Sequence, residues 1–456
     1  QSNMEMQIAA WGFINNYQQE IAAADYPGIR HFKVPLKIAS QPKSDVSGGE
    51  WQVCNPTNAG GFSAVAYFFA RQLNRELNIP IGLLNTTWGG TQVESWTSRE
   101  AFENSDEFKT VISGMKEVNL EELEKIKAAA VKARIEKLQG VASVTAAEAL
   151  TWKEKDLNDA AWRTLAVPGL WEQQEPADFD GWIWMRKIIE LSADDAGKEA
   201  VLELAMIDDN DETYVNGQNI GATSGYNLKR KYIIPAGVLK EGKNVIAVRI
   251  HDTGGGGGIW GEANDVKITT GTKVISLAGK WLYRIEAVSE GALSVGPNSY
   301  PTILYNAMIS PLVPYAIKGA IWYQGEANSG RAYQYRKAFP LMINDWRMHW
   351  QQGDFPFYFV QLSSWNANGG NSEKGSEWAE LREAQAMTLS LPNTGMAVTT
   401  DIGDAKDIHP KNKQDVGIRL AAIALNKTYQ KQHVYSGPVY ESFKIERNKI
   451  IVSFGN

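Results

Sequence analysis

Cysteine is almost missing from this chain of 456 residues, where Cys54 stands alone. A single thiol excludes an intrachain disulfide and any metal site built on cysteine. Nothing around it resembles a cysteine-protease signature, and a lone Cys reads as a small buried residue. Histidine is scarce too, at five residues, so each can be weighed in turn. No apolar run approaches the roughly 18 residues that span a bilayer, so no membrane insertion is expected. An excess of basic residues is also lacking: 46 Lys and Arg against 52 Asp and Glu leave a net charge of −6. That balance shows no electrostatic footprint for nucleic acid. The chain opens on Gln1-Ser2-Asn3-Met4, without an initiator Met, a signal peptide or a run-in that could form a first strand. It reads as trimmed there, so the missing signal peptide says nothing about location.

What is present is ordinary globular composition, 43% hydrophobic and 21% charged. The length suggests about two to four domains at roughly 100–200 residues each. Tryptophan is abundant, at 16. Stacking on sugars and filling cores weigh about equally as reasons for it.

Residues 60–77, "GGFSAVAYFFARQLNREL", carry apolar residues at helical spacing with Arg71 and Arg75 on the other face. The stretch 78–90, "NIPIGLLNTTWGG", then reads as a short strand ending in a Gly-rich loop. That rhythm predicts a parallel sheet with helical crossovers. Residues 119–140 predict a charged, solvated surface helix or connecting arm, laced with Glu/Lys pairs. From about 151 to 273 the texture changes to short Val-, Ile-, Tyr- and Trp-rich segments between turn signals, the pattern of an all-β sandwich. Within it, Asn216-Gly217 has the chemistry of a type I′ hairpin turn. The α/β rhythm then returns, with strands expected at "AIKGAIWYQGEAN", 355–365 and 395–404, and helices over 332–350, 377–391 and 412–429. The tail 442–454 alternates like a hairpin with an Asn-Lys turn, and a hairpin alone is marginal. The expected organisation is therefore α/β over 1–150 and 276–434, an inserted β-sandwich over 151–275, and the start of a further β segment over 435–456. The strand that should precede Ser2 is expected to be missing.

In an open parallel sheet, ligands bind at the carboxyl ends of the strands. Polar residues gather at four such ends: Gln1-Ser2-Asn3, Gly89-Gly90-Thr91, Gln324-Gly325-Glu326, and residues 401–409. Among the histidines, His31 lies in an irregular polar stretch and His251 near the end of a sandwich strand. His349 sits on a helix beside Trp350, where packing or capping is the better reading, and His433 lies close to the expected end of the α/β domain. His409 differs, because it stands in a loop as Asp407-Ile408-His409-Pro410, with the proline holding it extended. Alone, Asp-x-His is more often a loop salt bridge or a metal ligand. Serine hydrolysis, however, needs an alcohol, a base, an acid that orients the base, and donors for an oxyanion. Ser2, His409, Asp407, the pair Gly89/Gly90 and Gln324 would fill those places together.

The ordered blocks "QSNM", "WGGTQVESW", "WYQGEAN" and "DIHPKNKQDVGIRLA" resemble the sialate O-acetylesterase branch of the SGNH hydrolase superfamily, which is related to the acetylxylan esterases. The blocks run from Gln1 to Ala421. Each is weak alone; the ordered set is specific. The resemblance implies a three-layer flavodoxin-like α/β hydrolase domain interrupted by a sugar-binding-like jelly-roll sandwich. It implies Ser2 as nucleophile, with the glycine before it and the strand it caps both absent. It makes His409 the base, Gly90 before Gly89 an oxyanion donor, and Gln324 the amide that stands where the wider superfamily has Asn. The superfamily's usual Asp-x-x-His is broken here by Lys406, which leaves Asp407, Asp404 and Glu326 open as the carboxylate that orients the base. Gln1, Asn3, Glu326 and Asn328 are candidate substrate contacts, and Trp260 a candidate sugar-stacking residue. The loop "HDTGGGGGIWG" (251–261) lacks the Lys-Ser/Thr of a phosphate cradle and opens no helix.

The expected activity is release of acetate from an acetylated sugar or glycan by a serine carboxylic-ester hydrolase, with an acetyl-enzyme intermediate and no metal or organic cofactor. Sialic acid, xylan and other acetylated glycans stay open as substrates. A non-catalytic carbohydrate-binding protein is the alternative of another class. A glycosidase working through Glu94 and Glu326 is poorer, since its carboxyls must stand ~5–9.5 Å apart across a sugar. The substrate class points to an extracellular or periplasmic location. The sequence does not set the oligomeric state.

Overall fold

The structure, a computed structural model, describes residues 1–115, 119–176, 179–365, 373 and 375–455. The chain divides into two compact units: Gln1–Val118 with Pro297–Asn456, and Asn119–Gly296.

The first unit begins with a single helical turn, α1 (Ser2–Glu5). Strands β1 (Tyr26–Lys33) and β2 (Trp51–Cys54) follow, then α2 (Ala64–Leu77) and β3 (Ile81–Asn85). The Ser63 hydroxyl caps α2 by accepting from the Ala66 N–H, and Asn78 ends it in the left-handed region. β1 lies between antiparallel β2 and parallel β3. His31 is therefore a strand residue and not part of an irregular stretch. It is buried, stacked on Phe62 with ring centroids 4.5 Å apart, and its Nε2 lies 3.1 Å from Asn85 Nδ2. Burial pushes its pKa down to about 4, so it stays neutral. Cys54 is buried as expected, and burial raises its thiol to about 11.

The second unit starts with α3 (Leu120–Gln139), capped by the Asn119 side chain. It continues through β4 (Arg163–Val167), β5 (Gly169–Leu170), β6 (Gly181–Leu191), β7 (Ala200–Asp208), β8 (Asn210–Val215), β9 (Gln218–Ser224), β10 (Lys229–Ile234), β11 (Gly242–Asp252), β12 (Gly258–Trp260), β13 (Val266–Thr270), β14 (Lys273–Ser276) and β15 (Gly279–Val288). These form two six-stranded antiparallel sheets, one ordered β4-β15-β6-β11-β8-β9 and the other built around β7. Ile183, Met185, Val248 and Trp281 of the first share one core with Leu202, Leu204 and Ile268 of the second. Asn216 and Gly217 turn β8 into β9 with φ of 49° and 84°, as a type I′ turn requires. The unit's limits lie outside the expected 151–275. Helix α3 is mostly exposed, yet its buried Ile135 enters this core, and the Gln139 side chain brackets the Ile285 backbone with bonds of 2.8 and 2.9 Å.

Back in the first unit come β16 (Ala320–Trp322), α4 (Ala332–Trp350), β17 (Phe357–Val360), α5 (Glu377–Met387), β18 (Thr394–Ala397) and α6 (Lys413–Lys427). Strands β16, β17 and β18 are parallel. Their side chains pack with α4 and α6 into one core with Trp346, Phe339 and Leu420. The facing edges of β3 and β16 border a groove of about 440 Å³, lined by Leu83, Ile321, Tyr323, Phe69, Ala424 and Gln1 among others. Neither Ser2 nor His409 lines it. A last hairpin, β19 (Val439–Glu446) and β20 (Lys449–Gly455), turns at Arg447-Asn448, one residue ahead of the expected Asn-Lys. Among the described residues, no helix is long and apolar enough to cross a membrane.

The carboxyl ends of β3, β16 and β18 lead into the segments around Gly89, Gln324 and His409, and α6 follows the last of these. The seat of α6 on α2 depends on a close approach at Gly417. A Cβ there would lie 2.5 Å from Phe68 Cβ and 2.8 Å from both the Phe69 nitrogen and the Val65 oxygen. Two of those are backbone atoms, which cannot swing aside. Gly417→Ala should therefore destabilise the protein by about 1–3 kcal/mol through overpacking, outweighing the ~1 kcal/mol that Ala gains over Gly in a helix. A urea midpoint at or above that of the unaltered protein would contradict this packing.

Candidate functional site

Ser2 opens α1 and His409 stands in the loop before α6. The Ser2 Oγ and His409 Nε2 lie 2.8 Å apart, within the range of a nucleophile and its base. The ring of Trp11 meets the imidazole edge-on, with centroids 5.2 Å apart. Burial and then the nearby Lys413 charge lower the His409 pKa, while Asp407 and Glu326 act to raise it.

The three carboxylates considered for orienting His409 are placed differently. Asp407 Oδ1 accepts the His409 backbone N–H at 2.8 Å and lies 3.9 Å from Nδ1 of the ring. That is a charge contact, too long for a hydrogen bond. Asp404 caps its own loop by accepting the Lys406 N–H at 2.8 Å. Glu326 Oε1 accepts from Asn3 Nδ2 at 2.7 Å, and its second oxygen is buried without a hydrogen-bond partner. Among the described residues, no carboxylate is hydrogen-bonded to His409 Nδ1.

The two glycines also differ. The Gly89 N–H is committed to Glu5 Oε2 at 2.6 Å, and Glu5 in turn pairs with Lys33 at 3.0 Å. A Cβ on Gly89 would stand 3.1 Å from Ser2 Cβ, so this loop passes directly against Ser2. Gly90 follows with φ of 69°, and its carbonyl is held by Asn298 Nδ2 at 2.8 Å. Among the described residues, the N–H groups of Gly90 and Ser2 have no acceptor.

Gln324 corrects an expectation. It is fully buried, and its Nε2 donates to Thr91 O at 3.1 Å and Asn328 Oδ1 at 2.6 Å, while its Oε1 accepts from Tyr335 at 2.9 Å. Both amide hydrogens are thus directed inward, where they brace the residue after Gly90 and not an oxyanion. Asn328 belongs to the same buried network: its Oδ1 also takes the Val93 N–H at 3.0 Å, and its Nδ2 donates one of its two hydrogens to Glu94 at 2.9 Å. Asn3 is buried and bonded to Glu326, Ile408 O and Lys413 Nζ. The Gln1 side chain is buried as well. Glu94 is paired with Arg331 at 2.7 Å. Trp260 belongs to the second unit, where its indole N–H donates to Tyr226 O at 3.1 Å. Among the described residues, no three His, Cys, Asp or Glu side chains gather as a metal site.

The sequence reading missed Trp11, the Glu5–Lys33 pair and Lys413. Lysine is among the residues least often buried, so nothing marked Lys413 beforehand.

Gln324→Ala separates the two roles considered for that residue. It takes the side-chain partner from Thr91 O and from the Tyr335 hydroxyl and one of two donors from Asn328 Oδ1, and should lower unfolding free energy by about 1–3 kcal/mol. Unchanged stability in a urea titration, with activity lost, would return Gln324 to the oxyanion.

Residues 287–426 match the family model described as carbohydrate esterase, sialic acid-specific acetylesterase. The chain is 35% identical over 173 residues to the sialate O-acetylesterases of Homo sapiens and Pongo abelii, covering 34% of this chain and 32% of each relative. It is 36% identical over 169 residues to that of Mus musculus, covering 33% and 30%. These matches span about a third of the curated relatives' length. A solved carbohydrate acetylesterase from Xanthomonas citri covers the whole of this chain with 61% of its own, at 25% identity and a TM-score of 0.54. The chain accordingly resembles the sialate O-acetylesterases among the carbohydrate esterases, with that family's model resting on residues 287–426.

Proposed function

We propose that this chain hydrolyses acetyl esters on sugars, as a carbohydrate O-acetylesterase of the sialate type. The observation that carries the reading is the 2.8 Å contact of Ser2 Oγ with His409 Nε2. The matches to sialate O-acetylesterases and to a carbohydrate acetylesterase support the substrate class.

In this mechanism Ser2 Oγ attacks the acetyl carbonyl carbon while His409 Nε2 takes the hydroxyl proton. The carbonyl oxygen becomes an oxyanion, held by the N–H groups of Ser2 and Gly90. Its collapse breaks the bond to the sugar oxygen, which receives the proton back from His409. Water, deprotonated by His409, then attacks the acetyl-enzyme; as the bond to Ser2 Oγ breaks, His409 returns the proton to that oxygen and acetate leaves. Asp407, 3.9 Å from Nδ1, stabilises the transient imidazolium through space. No step calls on a metal or organic cofactor. The same reading assigns the first unit the three-layer flavodoxin-like arrangement of SGNH hydrolases and the second a jelly roll. It places the activity outside the cytoplasm, where acetylated glycans are met.

Acetate release from an O-acetylated sialic acid, an acetylated xylo-oligosaccharide and a nitrophenyl acetate tests the proposal. Ser2→Ala should lose activity by ~10³-fold or more; an equal rate would end the serine mechanism. Faster turnover of the xylan fragment would move the substrate away from sialic acid.

The pH profile carries a sign. His409 works as a neutral base, and burial with Lys413 lowers its pKa below the ordinary 6.5. The acid limb of kcat/KM should therefore fall below pH ~6.5. A limb above that value would mean that His409 is not the titrating base.

A further inference from the structure

We propose that Lys413 is a positioning residue for the Ser2–His409 pair: its buried ammonium orients the Asn3 amide that ties the nucleophile's helix to the base's loop. The inference rests on the serine-esterase reading above.

The tether consists of three side chains. Lys413 Nζ donates to Asn3 Oδ1 at 2.6 Å. Asn3 Nδ2 donates to Glu326 Oε1 at 2.7 Å and to the Ile408 carbonyl at 2.9 Å. Asn3 is the residue after the nucleophile, and Ile408 the residue before the base. An Asn side chain has two ends of nearly equal shape and opposite hydrogen-bonding role. An ammonium can only donate, so it holds Oδ1 toward itself. That leaves Nδ2 facing its two acceptors. Turned over, the amide would present oxygen to Glu326 and to Ile408 O, and the link between α1 and the His409 loop would be lost.

Lys413 stands where structural need alone argues against a cation. It is the first residue of α6, at the positive end of the helix dipole. It is 1% exposed, and burial pushes its pKa down to about 7. Its ring neighbour is Tyr323, at 5.6 Å. A methionine would fill much the same volume without the desolvation cost. The charged groups facing Lys413 are Glu326, in the segment after β16, and Asp407, on the His409 loop. The side chains facing His409 are Lys413, Asp407 and Glu326. Lys413 lowers the imidazole's pKa, and the two carboxylates raise it. With that pKa, Lys413 gains its charge as pH falls through about 7, and His409 takes up its proton as pH falls further.

Two variants separate position from charge. Lys413→Gln keeps a donor for Asn3 and removes the charge. Lys413→Met removes both. Each is followed by kcat and KM for nitrophenyl acetate across pH, by the rate of Ser2 phosphonylation with a fluorophosphonate, and by the His409 ¹³Cε1 titration. The Gln variant should keep kcat at its pH plateau within about threefold, with the His409 titration and the acid limb moved to higher pH. The Met variant should show the same pH movement and a kcat ~10–100-fold lower, with little change in KM, as expected when reacting groups are misplaced. A Met variant with unaltered kcat and an unmoved His409 titration would overturn the proposal. So would a Gln variant whose titration stays in place, a reading that survives if the Met variant does not fold. If the unaltered protein neither releases acetate nor is labelled at Ser2, the esterase reading fails. The His409 titrations still report then on Lys413.

Discussion

A hydroxyl and an imidazole from residues 407 positions apart share a hydrogen bond of 2.8 Å, and the chemistry available to this chain depends on that contact. Neither partner can hold it alone. Ser2 sits on a single helical turn, and His409 on a loop after the last sheet strand. The contact holds because the backbone on both sides is tied down. Asn3 reaches across to Ile408 O, and α6 is drawn against α2 at Gly417, where only hydrogen fits. A sheet edge brings the ends of strands into one neighbourhood, and these local ties convert neighbourhood into hydrogen-bonding distance.

The shell behind the pair is built mostly from amides that face inward. Gln324, Asn328, Asn3 and Gln385 are all buried, and their amide nitrogens all donate to protein acceptors. A buried amide with a missing partner costs ~1–3 kcal/mol, so such a network stiffens the loops it joins. Gln324 holds Thr91, Asn328 holds Val93, and Glu5 holds Gly89. The loop beside Ser2 is thus fastened at three points, with the Gly90 N–H left over. That N–H is a donor the network leaves unspent.

Electrostatics around His409 is a balance of opposite signs. Asp407 and Glu326 favour the imidazolium, while burial and Lys413 oppose it. The neutral side wins because the ring is largely removed from water and Asp407 is not in hydrogen-bond contact with it. A carboxylate nearly 4 Å away steadies a transient charge without holding a permanent one.

Much of this was legible beforehand. Helices α2, α4 and α6 showed in their periodicity, the β8–β9 turn in Asn216-Gly217, and the meeting of Ser2 with His409 in the residue types that serine chemistry requires. Strand β1 was not legible, because "YPGIRHFK" carries Pro, Gly and three charged or titratable side chains, and only two of its eight residues are buried. His31 became a core residue through Phe62 and Asn85, both distant in sequence. The second unit runs beyond 151–275 because the mostly exposed α3 joins it through Ile135, Val131 and Gln139.

By itself, then, the sequence determined which segments are helices and strands and which chemical groups stand at strand ends, since both follow from spacing along the chain and from residue type. Only the tertiary structure decided that Gln324 faces Thr91, that Gly89 spends its N–H on Glu5, and that Lys413 is buried against Asn3. The direction of a polar side chain is set by whichever partner completes its hydrogen bonds, and in this protein those partners come from 80 to more than 400 residues away.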